Sequence, residues 1–136
     1  MTIEAALYSY LSTHSGLSSL ISTRIYPMQV AQGATMPAVC YQLVDDIPVH
    51  SGGADVIVHA ARFQFSCWGG GTSGYTSACA VAAQVKAALQ DYSGTMGGTG
   101  GVVVQRSFLE MTTDLFDETL VRCGRAVDFI IWHEGS

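Results

Sequence analysis

The chain has 136 residues, and 11 acidic against 6 basic side chains leave a formal charge of −5. That length fits one domain, residues 1–136, with room for a real core. An apolar content of 49% excludes a disordered chain, and six cations, only one of them a lysine (Lys86), argue against a nucleic-acid-coating role.

Residues 3–11 predict an amphipathic helix, with Ile3, Ala6, Leu7, Tyr10 and Leu11 on one stripe and Thr2 as N-cap. Gly16 breaks the pattern, and Leu17, Leu20 and Ile21 give one more short helical turn. Arg24-Ile25-Tyr26-Pro27 reads as extended, since the residue before a proline avoids the helical region. A loop over 28–37 leads into a strand over 38–45, with Val39, Tyr41 and Leu43 on one face. Asp46 to Ala54 reads as a polar excursion too long for a tight turn. The strand over 56–68 is the clearest: Phe63, Phe65 and Cys67 face one way, Arg62, Gln64 and Ser66 the other. A helix over 74–90 follows, with Ala78, Val81, Ala82, Val85 and Leu89 as its apolar stripe. Residues 93–101 read as a Gly-rich flexible connector. Two more strands, 102–111 and 119–133, are joined around Thr112 to Glu118; the last carries Val121, Cys123, Val127, Phe129 and Ile131 on one face. The expected fold is α+β: a two-layer, four-stranded, mainly antiparallel sheet with two helices packed on one face.

Charged residues amount to 12%, against about 25% in an average domain. A chain with so few charges covers its own surface poorly. Copies of itself or a partner are therefore expected over part of it. No run of apolar residues is long enough for a membrane helix, and Met1-Thr2-Ile3-Glu4 does not read as a secretory signal. Cys40, Cys67, Cys79 and Cys123 include no C-x-x-C pair, so they read as reduced thiols of a cytoplasmic protein.

Gly69, Gly71 and Gly74 match G-x-G-x-x-G between a strand and a helix, where a dinucleotide fingerprint would be credible. The preceding strand reads as antiparallel, however, and Asp91 lies at the helix end rather than at a second strand. The near match to a P-loop has Tyr75 where the lysine should be. The turn is better read as a connector with Thr72 or Ser73 as N-cap. His14, His50, His59 and His133 form no metal-ligand spacing, although His50 and His59 flank the 46–55 loop and are placed to pair. No G-x-S-x-G elbow is present. Asp45 and Asp46, and then Asp114, Asp117 and Glu118, read as solvated hairpin ends. Arg62, Arg122 and Arg125 lie on strands, where they pair across strands or with a neighbouring subunit. No catalytic, cofactor or metal site is expected. The candidate residues for contacts between subunits are Asp46, His50, Asp55, Arg62, Asp114, Asp117, Arg122 and Arg125.

Arg24-Ile25-Tyr26-Pro27, followed by Pro37-Ala38-Val39-Cys40-Tyr41, the strand Arg62-Phe63-Gln64-Phe65-Ser66-Cys67-Trp68 and the ending Val127-Asp128-Phe129-Ile130-Ile131-Trp132 form a pattern over nearly the whole chain. It resembles the tail completion family of tailed bacteriophages, also called tail terminator or head-to-tail joining proteins. The resemblance implies a non-enzymatic virion protein that forms a ring, usually a hexamer, at the head-proximal end of the tail tube. The implied partners are copies of itself, the tail tube protein and the head–tail connector or stopper, with DNA passing through the lumen without specific binding and no membrane. The alternatives are another neck or head-completion component, a small nucleotide-binding enzyme using the 69–74 turn, and a cytoplasmic domain that merely shares the fold. The Gly-rich segments 69–74 and 94–101 depart from the family pattern and bear on loop contacts.

Overall fold

A computed structural model describes residues 1–30, 33–49, 57–70, 74–119 and 121–135. Its elements in chain order are α1 (Ile3–Thr13), α2 (Ser15–Ile21), β1 (Ile25–Pro27), β2 (Ala38–Val49), β3 (Val58–Gly69), α3 (Gly74–Leu89), β4 (Gly94–Met96), β5 (Val102–Asp117) and β6 (Arg122–Glu134). The sheet has six strands in the order β1-β2-β3-β6-β5-β4. The β1–β2 pair is parallel and the rest are antiparallel. The expected four-stranded sheet with two helices is therefore corrected to a six-stranded, mixed, curled sheet with three helices.

The helices form where the apolar spacing places them. Thr2 caps α1, its hydroxyl accepting from the Ala5 N–H at 3.2 Å. Ile3, Ala6, Leu7 and Leu11 are buried from α1, and Leu17 and Ile21 from α2. The break between the two falls at His14, and Gly16 lies inside α2. All five predicted stripe residues of α3 are buried. The sheet supplies the other half of this core. Phe63, Phe65 and Cys67 of β3 point to the helices, level with Phe129, Val127 and Arg125 of β6. Tyr10 fastens α1 to the end of α3, donating to the Ala88 carbonyl at 2.6 Å and packing on Tyr92.

One short edge strand falls in a run expected to be extended, the other in a segment expected to be a flexible connector. β1 is the Ile25-Tyr26-Pro27 run, laid parallel on Val39-Cys40-Tyr41. The Arg24 guanidinium closes that junction, donating from Nε to the Pro37 carbonyl at 2.9 Å. The two most distinctive sequence runs are thus one structural unit. β4 lies within the Gly-rich 93–101 connector and pairs with Val102–Val104. Two hairpins also extend further than their polarity implied. Asp46–Val49 continue β2, and Thr112–Asp117 continue β5, where loops were expected.

The fully buried Phe65 and the exposed Phe116 provide a test of this layering. Phe65→Ala should cost about 3–5 kcal/mol, while Phe116→Ala should stay within about 0.5 kcal/mol of the parent chain. Urea denaturation measures both.

Candidate subunit interface

The candidate residues do not converge on one site. His50 and Asp55 lie outside the described residues. The remaining six fall into separate places along the sheet.

At the outer end of the β2–β3 hairpin, the Asp46 carboxylate meets His59 Nδ1 at 3.0 and 3.2 Å. The strands bring the residues together by register, with Asp46 opposite Ala61 and His59 opposite Pro48. His59 also stacks on His133, its cross-strand partner on β6, with ring centroids 5.1 Å apart and planes 9° apart. His133 is buried, and its Nε2 has no hydrogen-bond partner among the described residues. Burial pushes its pKa below the ordinary 6.5, with the nearby His59 acting in the same direction.

On the sheet face turned away from the helices, Arg62 Nη2 lies 3.4 Å from Asp128 Oδ2, a diagonal pair between β3 and β6. Asp128 is buried, with 9% of its side chain exposed, so Arg62 compensates a largely desolvated carboxylate. The sequence reading picked Arg62 but not this partner.

Near the start of α3, Asp114 of β5 and Arg125 of β6 stand directly opposite each other. Arg125 Nε donates to Asp114 Oδ1 at 2.9 Å. Tyr75, in the first turn of α3, donates its hydroxyl proton to Asp114 Oδ2 at 3.0 Å and accepts from Arg125 Nη2 at 2.7 Å. The hydrogen bond from Arg125 holds the Asp114 carboxyl below its ordinary range, with the Tyr75 bond adding to it. The bond to Asp114 pushes the Tyr75 phenol up. All three groups face water, which screens the pair. Their geometry docks the first turn of α3 onto the β5–β6 hairpin. Arg62 and Arg125 both pair within the chain, across strands.

Asp117 and Arg122 close the β5–β6 hairpin and line a cleft of about 280 Å³ with Met28, Gln29, Val30, Cys40, Ser66 and Trp68. The Asp117 carboxylate accepts from the Thr119 N–H at 3.0 Å.

Sequence reasoning missed the surface with the strongest claim to a partner. Leu43, Val44, Ile47 and Val49 of β2 are exposed, as are Phe108, Leu109, Met111 and Phe116 of β5. Ile47, Val49 and Phe116 fall where loops were expected, and the others lie on the expected strands 38–45 and 102–111. The surplus of apolar over charged residues was the available signal.

The Gly-rich turn is a packing junction. Gly71, Thr72 and Ser73 lie outside the described residues, but Gly69 and Gly74 do not. A β-carbon at Gly69 would run into the Gly74 carbonyl oxygen and crowd the Ala78 N–H. β3 is antiparallel to both its neighbours, so the turn does not belong to a parallel βαβ unit. Among the described residues no three His, Cys, Asp or Glu side chains come together as a metal-holding set. No described helix is long and apolar enough to cross a membrane. The four cysteines are free; Cys40 and Cys67 are buried, and burial pushes both thiols up.

Residues 5–134 match the family model described as "Tail completion protein gp17". No curated protein sequence matches the chain. Among solved structures, a chain of the virion of a native gene transfer agent particle superposes with a TM-score of 0.74, covering 98% of this chain and 95% of that one at 19% identity. At that identity the likeness establishes the fold.

Two outcomes test these assignments. Gly69→Ala should destabilise by about 1–3 kcal/mol through overpacking, and neither parent nor variant should gain thermal stability from added nucleotide. His133 contributes to the pH dependence below neutrality. Its depressed pKa means that the unfolded chain takes up a proton first as pH falls. Stability from neutral His133 is therefore full above 6.5 and lost as pH drops through the lower, folded value. His133→Phe should flatten that part of a pH–Tm profile while keeping the stack on His59.

Proposed function

Because this chain belongs to the tail completion protein gp17 family, we propose that it forms a ring, a hexamer, at the head-proximal end of a phage or phage-like tail. There it stops tail-tube polymerisation and joins the tail to the head. The family match over residues 5–134 carries this reading. The fold shared with a chain of a gene transfer agent virion supports it. Such a protein is structural rather than enzymatic, and its partners are its own copies, the tube protein and the connector or stopper. Its place is the tail–head junction of the virion, assembled in the bacterial cytoplasm.

The physical chemistry of the chain fits that role. A ring subunit uses two different surfaces, one for each neighbour. Neighbours that cover its flanks relieve it of the need for charge, which accords with a charged content of 12%. The −5 charge, repeated around a ring, would keep passing DNA from adhering. An arginine-lined lumen in a solved ring would overturn that last point.

The decisive observation is electron microscopy of particles made without this gene. Overlong tails identify termination as the lost step. Tails of normal length separated from filled heads identify joining, and favour a component on the connector side. Normally tailed, infectious particles would overturn the role.

A further inference from the structure

The margins of the sheet have complementary steps. On one margin β1 covers β2 only at Val39–Tyr41, and Gln42–Val49 have no strand beside them among the described residues. On the other margin β4 covers β5 at Val102–Val104. The end of α3 continues that cover: the Asp91 N–H donates to the Ser107 carbonyl at 2.9 Å, and the Leu109 N–H donates to Gln90 Oε1 at 3.0 Å. From Glu110 to Asp117 no further strand lies beside that margin among the described residues, a stretch as long as the open stretch of β2.

The two open stretches lie at opposite ends of their margins. Cross-strand register fixes their levels. Ile47 lies opposite Ala60, Ala60 opposite Trp132, and Trp132 opposite Arg106. Asp45 is level with Phe108 through Arg62 and Ile130. The open part of β2 is therefore level with the covered part of β5. β1, level with Val39–Tyr41, is likewise level with Thr112–Asp114 in the open part of β5. A copy set beside the first with no shift along the strands brings β1 against Thr112–Asp114 and β4 against Pro48 and Val49, with the end of α3 facing the rest of that notch.

The side chains agree with that placement. Both notches carry exposed apolar residues: Val44, Ile47 and Val49 in one, Met111 and Phe116 in the other. The exposed Asp45 carboxylate on the first margin is within two strand positions of the level of Arg106 on the second, on the same sheet face. Open, apolar edge strands are templates for further pairing unless something covers them.

We propose that the occupant of both notches is a second copy of this chain. The β4 margin of one copy seats in the Gln42–Val49 notch of the next, and the β1 margin of that next copy seats in the Glu110–Asp117 notch of the first. The contact is heterologous, so rotation closes it into a ring. This assignment rests on the ring reading above and names the surfaces that build it.

The test uses Ile47→Lys and Phe116→Lys, which put a cation on each notch at well-exposed positions, with Val44→Lys and Met111→Lys as second variants and thermal melts to confirm folding. Sedimentation is followed up to roughly millimolar chain, where weak contacts register. The parent chain should associate beyond a dimer, and each single variant should be monomeric. An equimolar mixture of the two variants should form dimers and nothing larger, because one intact pair of margins remains. Variants that associate like the parent would overturn the assignment and leave the ring standing. A mixture that stays monomeric would overturn the heterologous pairing. A parent chain that is monomeric throughout would overturn the notch assignment, while the role in the tail is decided separately by tail length and head attachment in the deletion particles.

Discussion

The antiparallel ladder between β3 and β6, running from Val58 opposite Glu134 to Gly69 opposite Cys123, is the constraint on which the rest of the molecule depends. One face of it presents Phe63, Phe65, Val127 and Phe129 to the helices. Without that face the stripes of α1, α2 and α3 would have nothing to cover, and helices this short are marginal alone. Its other face holds the Arg62–Asp128 pair. Each ladder strand also carries one hairpin partner: β2 beside β3, and β5 beside β6. Because the two hairpins point in opposite directions along the ladder, their outer strands overrun the helical layer at opposite ends. One arrangement thus sets both the core and the location of the uncovered apolar residues.

Much of this was legible in the sequence. The alternation in 62–67 fixed which side of β3 is buried, and the spacing in 74–89 fixed the inner face of α3. What was not legible has physical causes. β2 shifts register between Leu43 and Asp45, and β5 does so between Val104 and Arg106 and again between Leu109 and Met111. Each bulge resets the two-residue period, so a strand read by alternation ends too early. That is why β2 was stopped short and Thr112–Asp117 read as a connection. β1 and β4 carry too few residues for a periodicity, and each is specified by its neighbour rather than by its own sequence.

The interface candidates show a related limit. The sequence offers strand arginines (Arg62, Arg122, Arg125) and acidic side chains in expected loops as candidates for contact with a neighbouring subunit. In the structure Arg62 and Arg125 pair with Asp128 and Asp114 within the chain, and Asp46 pairs with His59. With 12% charged residues, Asp46, Arg62, Asp114, Arg125 and Asp128 are engaged in pairs that hold neighbouring strands together. Apolar residues are left facing outward at the margins among polar ones such as Gln42, Asp45 and Thr112, and nothing in a strand's sequence distinguishes an apolar residue turned to the core from one turned to a neighbour.

Trp68 and Trp132 are the only indoles in the chain, and both are half-buried on the sheet face turned away from the helices. Trp68 lies across Gly124, where an added β-carbon would meet its ring at 2.7 Å, and it lines the cleft beside Cys40. Trp132 stands between Ala60 and Arg106 on the neighbouring strands. The tryptophan emission of this protein is therefore one-sided: it reports solvent and contacts on the bare face of the sheet rather than on the helical layer. Whatever comes to rest on that face during assembly should announce itself in the emission spectrum, without a label and without disturbing the helices.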